Sequence, residues 1–255
     1  MNENVKGILW ILFLILISPV LIPVILLWAL TGILYSLTVT EPVYKKTTAL
    51  ARFLGWFTNW MILFITRSHV EVLGEDKIPE NSRFVYVANH RSRFDPMVVM
   101  SSLARFRIGF ISKPSNFRIP FFGKILRKLC FLQINREDPR KAIETVNDAV
   151  DILNLDSASI GFYPEGTRSA DGTLGPFHDF MFRIPKCADV PVVVAVTYGT
   201  EDVAKKFPFP GGARATIKIL GVIDTEFVRT HRPVEIGEKV EAMMREELNQ
   251  EETTR

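Results

Sequence analysis

Hydrophobic and polar positions divide the chain near residue 67. From Gly7 to Thr40 run 34 consecutive positions without Asp, Glu, Lys or Arg. A helix of about 20 apolar residues spans a bilayer core, so this run exceeds one span and falls short of two. Pro19 and Pro23 stand four apart and share a helical face. Two shapes fit: a tilted, kinked transmembrane helix, or a re-entrant hairpin turning at Ser18-Pro19. The hairpin arms, about 11 and 16 residues, would enter one leaflet without crossing it. A second apolar stretch, Ala49 to Thr66, carries Trp56, Phe57, Trp60 and Phe64 and is interrupted by Arg52 and Asn59. That mixture predicts an interfacial helix lying along the headgroups, with a core helix as the alternative.

Beyond residue 68, short β-rich runs alternate with helical ones. Strands are predicted at His69–Leu73, Arg83–Ala88, Arg107–Ile111, Phe131–Ile134, Ser159–Tyr163, Val190–Thr197 and Ala215–Val222. Helices are predicted at Pro96–Ala104, Ile119–Leu129, Pro139–Leu153, around His178–Lys186, and at Ile236–Leu248. The alternation defines an α/β domain with a mixed, largely parallel sheet flanked by helices. The expected division is 1–67, membrane-anchoring helices, and 68–255, the α/β domain with an acidic C-terminal helix.

Composition sharpens this picture in three ways. The chain has 255 residues, of which 47% are hydrophobic and 23% charged. With charge near the ordinary ~25%, the apolar excess belongs to the N-terminal segment, which excludes a plain soluble enzyme and a disordered chain. The two cysteines, Cys130 and Cys187, form no metal-ligand or redox spacing and are expected to be reduced. A signal peptide is not expected: the apolar run is too long for an h-region, and no small-residue cleavage site follows. Lys45, Lys46, Arg52 and Arg67 follow the run with only Glu41 opposing, which places the α/β domain in the cytoplasm by the positive-inside rule. Between Asn89 and Arg136 stand ten basic residues and one acid, a net of +9. Beside a membrane segment, such a block fits anionic lipid, a phosphorylated substrate or an acidic protein, and no nucleic acid.

Candidate chemistry lies in two loops that each follow a predicted strand, the place where α/β sheets present active-site groups. The first is Asn89-His90-Arg91-Ser92-Arg93-Phe94-Asp95-Pro96. On a continuous helix His90 and Asp95 would point about 140° apart, so they meet only if a loop turns there into a helix. Asp95 as N-cap with Pro96 at N1 fits that turn. The carboxylate could then hold the imidazole Nδ1–H and leave Nε2 as a base. Asp95 could equally do no more than cap the helix. The second loop is Phe162-Tyr163-Pro164-Glu165-Gly166-Thr167-Arg168-Ser169. Gly166 permits close backbone approach, Thr167 offers a hydroxyl, and Arg168 a fork suited to phosphate. An ordinary surface turn has the same ingredients. Two further segments are Phe131-Leu132-Gln133-Ile134-Asn135-Arg136, a short strand ending in Arg, and Val190-Pro191-Val192-Val193-Val194-Ala195-Val196, which reads as a core strand.

In this order and spacing the four segments resemble the glycerolipid acyltransferase family, and more narrowly its 1-acylglycerol-3-phosphate acyltransferases. That family carries an Asn-His-x4-Asp block, a strand ending in Arg, a Phe-Pro-Glu-Gly-Thr-Arg-Ser block and a Val-Pro strand; here these read NHRSRFD, FLQINR, FYPEGTRS and VPVVVAV. The resemblance covers residues 70–225. It implies acyl transfer from an acyl thioester to the hydroxyl of lysophosphatidic acid, without a covalent intermediate. His90 would be the general base and Asp95 its orienting partner. Arg136 and Arg168 would hold the acceptor phosphate, and Glu165, Gly166 and Thr167 would shape the acceptor site. It implies no metal and no cofactor; acyl-coenzyme A or acyl-acyl carrier protein would be the co-substrate. Alternatives are another acceptor, such as glycerol-3-phosphate or a different lysophospholipid, and a phospholipid-binding protein without catalysis. A hydrolase using Ser92 as nucleophile is a third; no Gly-x-Ser-x-Gly elbow supports it. The chain departs from the family pattern at Tyr163, where Phe is usual, at Cys130, where Gly often stands, at Val194, where a second Pro is frequent, and at His178, Asp179 and Phe180 after Pro176-Phe177.

Overall fold

The uncharged run folds as one unbroken helix. In the computed structural model, which describes residues 3–135, 137–169, 173–203 and 212–254, helix α1 spans Glu3–Leu37 with Pro19 and Pro23 inside it. No turn forms at Ser18-Pro19, so the continuous helix is the shape adopted. Its Val5–Leu37 part is long and apolar enough to cross a membrane by length and composition, and apart from Gly32 and Ser36 it is not buried. Helix α2, Ala49–Ile65, starts at Thr48, whose hydroxyl accepts the Ala51 amide. It buries Ala51, Leu54, Gly55, Asn59, Met61 and Leu63. Phe53, Trp56 and Trp60 stay exposed on its other face. The core reading therefore holds for one face of this helix, and the other face is exposed and aromatic. The two helices run antiparallel: Trp10 Nε1 donates to the Ile65 carbonyl at 3.1 Å, and the Tyr35 and Thr48 hydroxyls share a 2.5 Å hydrogen bond.

The α/β part follows in the order β1 (His69–Leu73), β2 (Val85–Ala88), α3 (Asp95–Ser102), β3 (Ile108–Ser112), α4 (Pro114–Phe117), α5 (Phe122–Lys128), β4 (Leu132–Gln133), α6 (Pro139–Asn154), β5 (Ser159–Phe162), α7 (Arg183–Ala188), β6 (Val192–Tyr198), β7 (Arg214–Ile223), α8 (Thr225–Thr230) and α9 (Pro233–Thr254). The strands form one sheet in the order β1-β7-β6-β2-β5-β3-β4. From β6 to β4 all neighbours are parallel. Strand β7 is antiparallel to β6 and parallel to β1. The sheet is thus mixed and largely parallel, as the alternation predicts.

Parallel strands need crossover helices, and these cover both faces, so central strands are apolar throughout. In β2, Val85 and Val87 pack toward α6, α7 and α9, through Val146, Ile152, Ile184, Ile236 and Val240. Tyr86 and Ala88 pack toward α2, α3 and α5, through Ala51, Leu63, Val98, Val99 and Leu126. All four β2 residues are buried. Because β2 lies between β5 and β6 while the chain crosses from β2 to β3 beyond β5, its C-terminal end sits at a topological switch point. A crevice for ligand opens at such a point.

Candidate active site

Both motif loops leave the sheet at that switch point. Asn89 follows β2 directly and fastens it to the end of β6: its Oδ1 accepts the Thr197 amide at 2.7 Å and its Nδ2 donates to the Thr197 carbonyl at 3.2 Å. Next comes His90, whose Nδ1 lies 2.7 Å from Asp95 Oδ2. The same oxygen accepts the amides of Arg91 at 2.8 Å and Ser92 at 2.9 Å. The loop is therefore wound around a fully buried carboxylate, whereas the His90 side chain keeps 18% exposure. With Nδ1 committed to Asp95, Nε2 is the nitrogen left for a reacting proton.

The N-cap assignment for Asp95 is corrected. Helix α3 begins at Asp95 itself, with Phe94 in the cap position and no side-chain capping bond. The reason is the fold-back of the carboxylate onto residues 90–92, which removes it from the helix amides. Asp95 thus serves the loop and the histidine and does not cap. Ser92 is buried, and its hydroxyl accepts the Phe94 amide at 3.2 Å, so it is occupied within its own loop.

The second motif closes over the first. Glu165 is 4% exposed. Its Oε1 accepts the His90 amide at 2.6 Å and its Oε2 the Gly175 amide at 3.0 Å. Burial raises its carboxyl above the usual range, with the amides of Gly175 and His90 pulling the other way. The Ser169 amide donates to the His90 carbonyl at 2.9 Å. Gly166 has φ +67° at the turn, a conformation that suits glycine. Thr167 and Arg168 are exposed, and Arg168 makes no side-chain hydrogen bond or ion pair among the described residues.

Sequence reasoning gave no role to Tyr163. Its ring stacks on the His90 imidazole at 4.4 Å between centroids and 11° between planes. Phe110 continues the stack on Tyr163 at 5.5 Å and 9°. The Phe110 ring needs the space left by Gly161, where an added Cβ would come within 2.5 Å of it. The signal available was the Tyr-for-Phe departure. The Asn89–Thr197 link was also missed, since the Val190–Val196 segment reads as core, which it also is.

The structure thus brings His90, Asp95, Glu165, Gly166, Thr167 and Arg168 together; Arg136 lies outside the described residues. The basic block is partly consumed by structure. Arg91 grips Glu201 with two hydrogen bonds, of 3.0 and 2.6 Å, Arg105 pairs with Glu75 and Glu80, and the Lys128 ammonium lies over the Tyr44 ring. Arg93, Lys113 and Arg118 are exposed, with no side-chain hydrogen bond or ion pair among the described residues. Lys113 directly follows the C-terminal end of β3, on the same edge of the sheet as the dyad.

An imidazole held by a buried carboxylate thus stands beside a loop that carries an exposed guanidinium. Residues 69–197 match the Acyltransferase family model, and the chain belongs to that family. Among similar proteins, a 1-acyl-sn-glycerol-3-phosphate acyltransferase of Haemophilus influenzae is 30% identical over 195 residues, covering 75% of this chain and 74% of its own length. A chloroplastic protein of the same name from Brassica napus is 31% identical over 182 residues, 70% of this chain and 48% of its own. The chain therefore spans about half the length of that chloroplastic relative. The crystal structure of the 1-acyl-sn-glycerophosphate (LPA) acyltransferase PlsC from Thermotoga maritima shares the fold, with TM-score 0.63, 22% identity and coverage of 97% and 98% of the two chains.

Proposed function

We propose that this protein transfers a fatty acyl group from an acyl thioester to the free hydroxyl of 1-acylglycerol-3-phosphate, yielding phosphatidic acid. The observation that carries the reading is the His90 Nδ1–Asp95 Oδ2 contact of 2.7 Å at the sheet's switch point. Nε2 of His90 takes the proton of the acceptor hydroxyl as its oxygen attacks the thioester carbonyl. Asp95 stabilises the imidazolium that forms. The tetrahedral intermediate collapses, the C–S bond breaks, and the leaving thiolate takes the proton back from Nε2. No covalent enzyme intermediate is needed. Arg168 and Arg136 supply the charge for the acceptor phosphate. Glu165 holds the His90 loop and the 163–169 loop in register. The donor is acyl-coenzyme A or acyl-acyl carrier protein; Arg93, Lys113 and Arg118 suit its phosphates or acidic surface. The apolar faces of α1 and α2 associate with the membrane in which the acceptor is dissolved, and the catalytic domain faces the cytoplasm.

The test is acyl transfer by the purified full chain, with lysophosphatidic acid and other acceptors offered with both donor types and products identified by mass spectrometry. His90→Ala and Asp95→Asn are each expected to lower kcat by about 10³-fold, within the range seen when a general base or its orienting carboxylate is lost. Arg168→Gln is expected to raise KM for lysophosphatidic acid above its effect on kcat. Tight lysophosphatidate binding without turnover would sink the catalytic reading. Acylation of glycerol-3-phosphate alone would sink the acceptor.

A further inference from the structure

A second polar–apolar site lies at the opposite end of the sheet. A cavity of about 240 Å³ opens there between α2, the end of α3 and the starts of β3 and β5. Its wall is apolar at Phe53, Trp56, Met100, Leu103, Ile108 and Leu129. The dyad follows the C-terminal end of β2, to which β5 and β3 run parallel, whereas Ile108 and Ala158 lie at the N-terminal ends of β3 and β5. The four residues of β5 alone separate the two places by about 13 Å. This cavity is therefore distinct from the crevice of the two motifs.

Three polar residues line it: Thr47, Arg52 and Arg107. Arg52, from the first turn of α2, and Arg107, from the turn before β3, make no side-chain hydrogen bond or ion pair among the described residues. The hydroxyl of Thr47 is shut off from solvent and has no hydrogen-bond partner among the described residues. A buried hydroxyl without a partner is costly and calls for an occupant. Asp156, an acid electrostatically coupled to Arg107, is already bound to Arg83 Nε at 2.6 Å. Lys45, close by in sequence, is held by Asp148 and Asp151. The local charge is thus cationic, with no ion pair to either guanidinium among the described residues.

The surroundings say what kind of molecule fits. Phe53 and Trp56 are exposed on the membrane-seeking face of α2 and also form the cavity wall. A ligand must then offer an anion to two arginines and a hydroxyl, and an apolar tail to a cavity that opens toward lipid. A volume of about 240 Å³ is below the ~300–1,000 Å³ of sites that enclose whole small ligands, so it takes part of one chain and leaves the rest in the bilayer. We propose that this cavity binds an anionic phospholipid of the surrounding membrane, with its phosphate on Arg52, Arg107 and Thr47 Oγ1 and one acyl chain against Met100, Leu103 and Leu129. The lipid is a resident of the non-catalytic edge. It fixes the domain's height and tilt at the headgroup layer and takes no part in acyl transfer.

The test uses the full chain in nanodiscs of phosphatidylcholine containing a minor fraction of phosphatidylglycerol. Native mass spectrometry after release is expected to show one retained phosphatidylglycerol in preference to phosphatidylcholine. A phosphatidylglycerol with a photoreactive chain is expected to crosslink to residues 100–103 or 129. The R52Q/R107Q variant is expected to weaken retention at least tenfold. Ala104→Phe, which fills the cavity without changing charge, is expected to abolish the crosslink, and it carries the test alone if the arginine variant does not fold. Equal retention of the two lipids, undiminished retention in either variant, or crosslinks confined to other parts of the chain would overturn the proposal. Because the readout is lipid retention, it is independent of whether the chain proves to be an acyltransferase.

Discussion

The side chains around His90 fall into those that touch the imidazole and those that hold its loop. Asp95 does both, since one oxygen receives the ring and two amides. This part was legible in the sequence as a five-residue interval that makes sense only for a loop. The one-residue error in the cap came from helix statistics, which cannot see a carboxylate claimed by backbone amides further back. Tyr163 was not legible, because stacking depends on how the β2 and β5 loops converge. The hydroxyls of Tyr163 and Tyr86 and the second Asp95 oxygen are buried without a hydrogen-bond partner among the described residues. Both phenols are pushed up, chiefly by burial and further by the Asp95 charge, so they stay neutral. The ring, not the hydroxyl, is then the part of Tyr163 that positions His90. Tyr163→Phe is expected to keep kcat within about threefold, whereas Tyr163→Ala is expected to lower it about tenfold, near the ~0.5–1.5 kcal/mol of an aromatic pair. Steady-state kinetics of the two variants decide this: equal losses would assign the effect to the hydroxyl.

At the scale of elements, each of the seven strands formed where β-branched and aromatic runs placed it, within two residues at most ends. The sheet order was not legible, because hydrophobic pattern gives each strand's burial and not its neighbour. Helices α4 and α8, of four and six residues, were missed, being too short to show a helical period. The joining of the two motif loops is likewise a matter of topology: strands β2 and β5 are adjacent, so residues 75 positions apart meet through Glu165. Burial raises the Glu165 carboxyl, so the folded state holds that proton more tightly than the unfolded chain does. The stability linked to it is therefore full at low pH and is lost as pH rises through the raised value. Glu165→Gln removes this titration, and its amide nitrogen leaves either the His90 or the Gly175 amide without an acceptor, at about 1–3 kcal/mol. In thermal melts between about pH 4 and pH 7, wild type is expected to lose stability relative to the variant as pH rises. The variant's kcat/KM is expected to fall about tenfold, the loss equivalent to ~1.4 kcal/mol. A stability difference that stays constant with pH would refute the assignment of the raised carboxyl.

For the whole molecule, the decisive question is how the N-terminal segment meets the bilayer. Helix α1 is 35 residues, about 52 Å at 1.5 Å per residue, against a hydrocarbon core of ~30 Å. Length alone would permit a crossing. The contacts point elsewhere. Trp10 is bonded at the C-terminal end of α2 and Tyr35 at its N-terminal cap. Both ends of α2 are rooted in the α/β domain, through Ser68 into β1 on one side and through the Lys45 bridges to α6 on the other. A helix held at Trp10 and Tyr35 against α2 is expected to stay alongside the domain when it meets the membrane. The exposed faces of α1 and α2 then form one apolar slab, with Phe53, Trp56 and Trp60 at its margin, suited to entering a single leaflet. Of the two shapes read from the sequence, the continuous helix is the one adopted and the turn at Ser18-Pro19 is not; the pairing with α2 was not legible, because the partner of α1 lies beyond a polar connection that carries no signal of contact. A cysteine introduced near residue 2 is expected to react with a membrane-impermeant maleimide from the cytoplasmic side, and to do so in sealed vesicles of that orientation only. Labelling from the opposite side would show that Trp10 leaves Ile65 in the membrane and that α1 crosses it. Trp10→Phe keeps the ring but removes the indole donor, so it is expected to leave the labelled side unchanged and to weaken the α1–α2 pairing, read as faster proteolysis before residue 49.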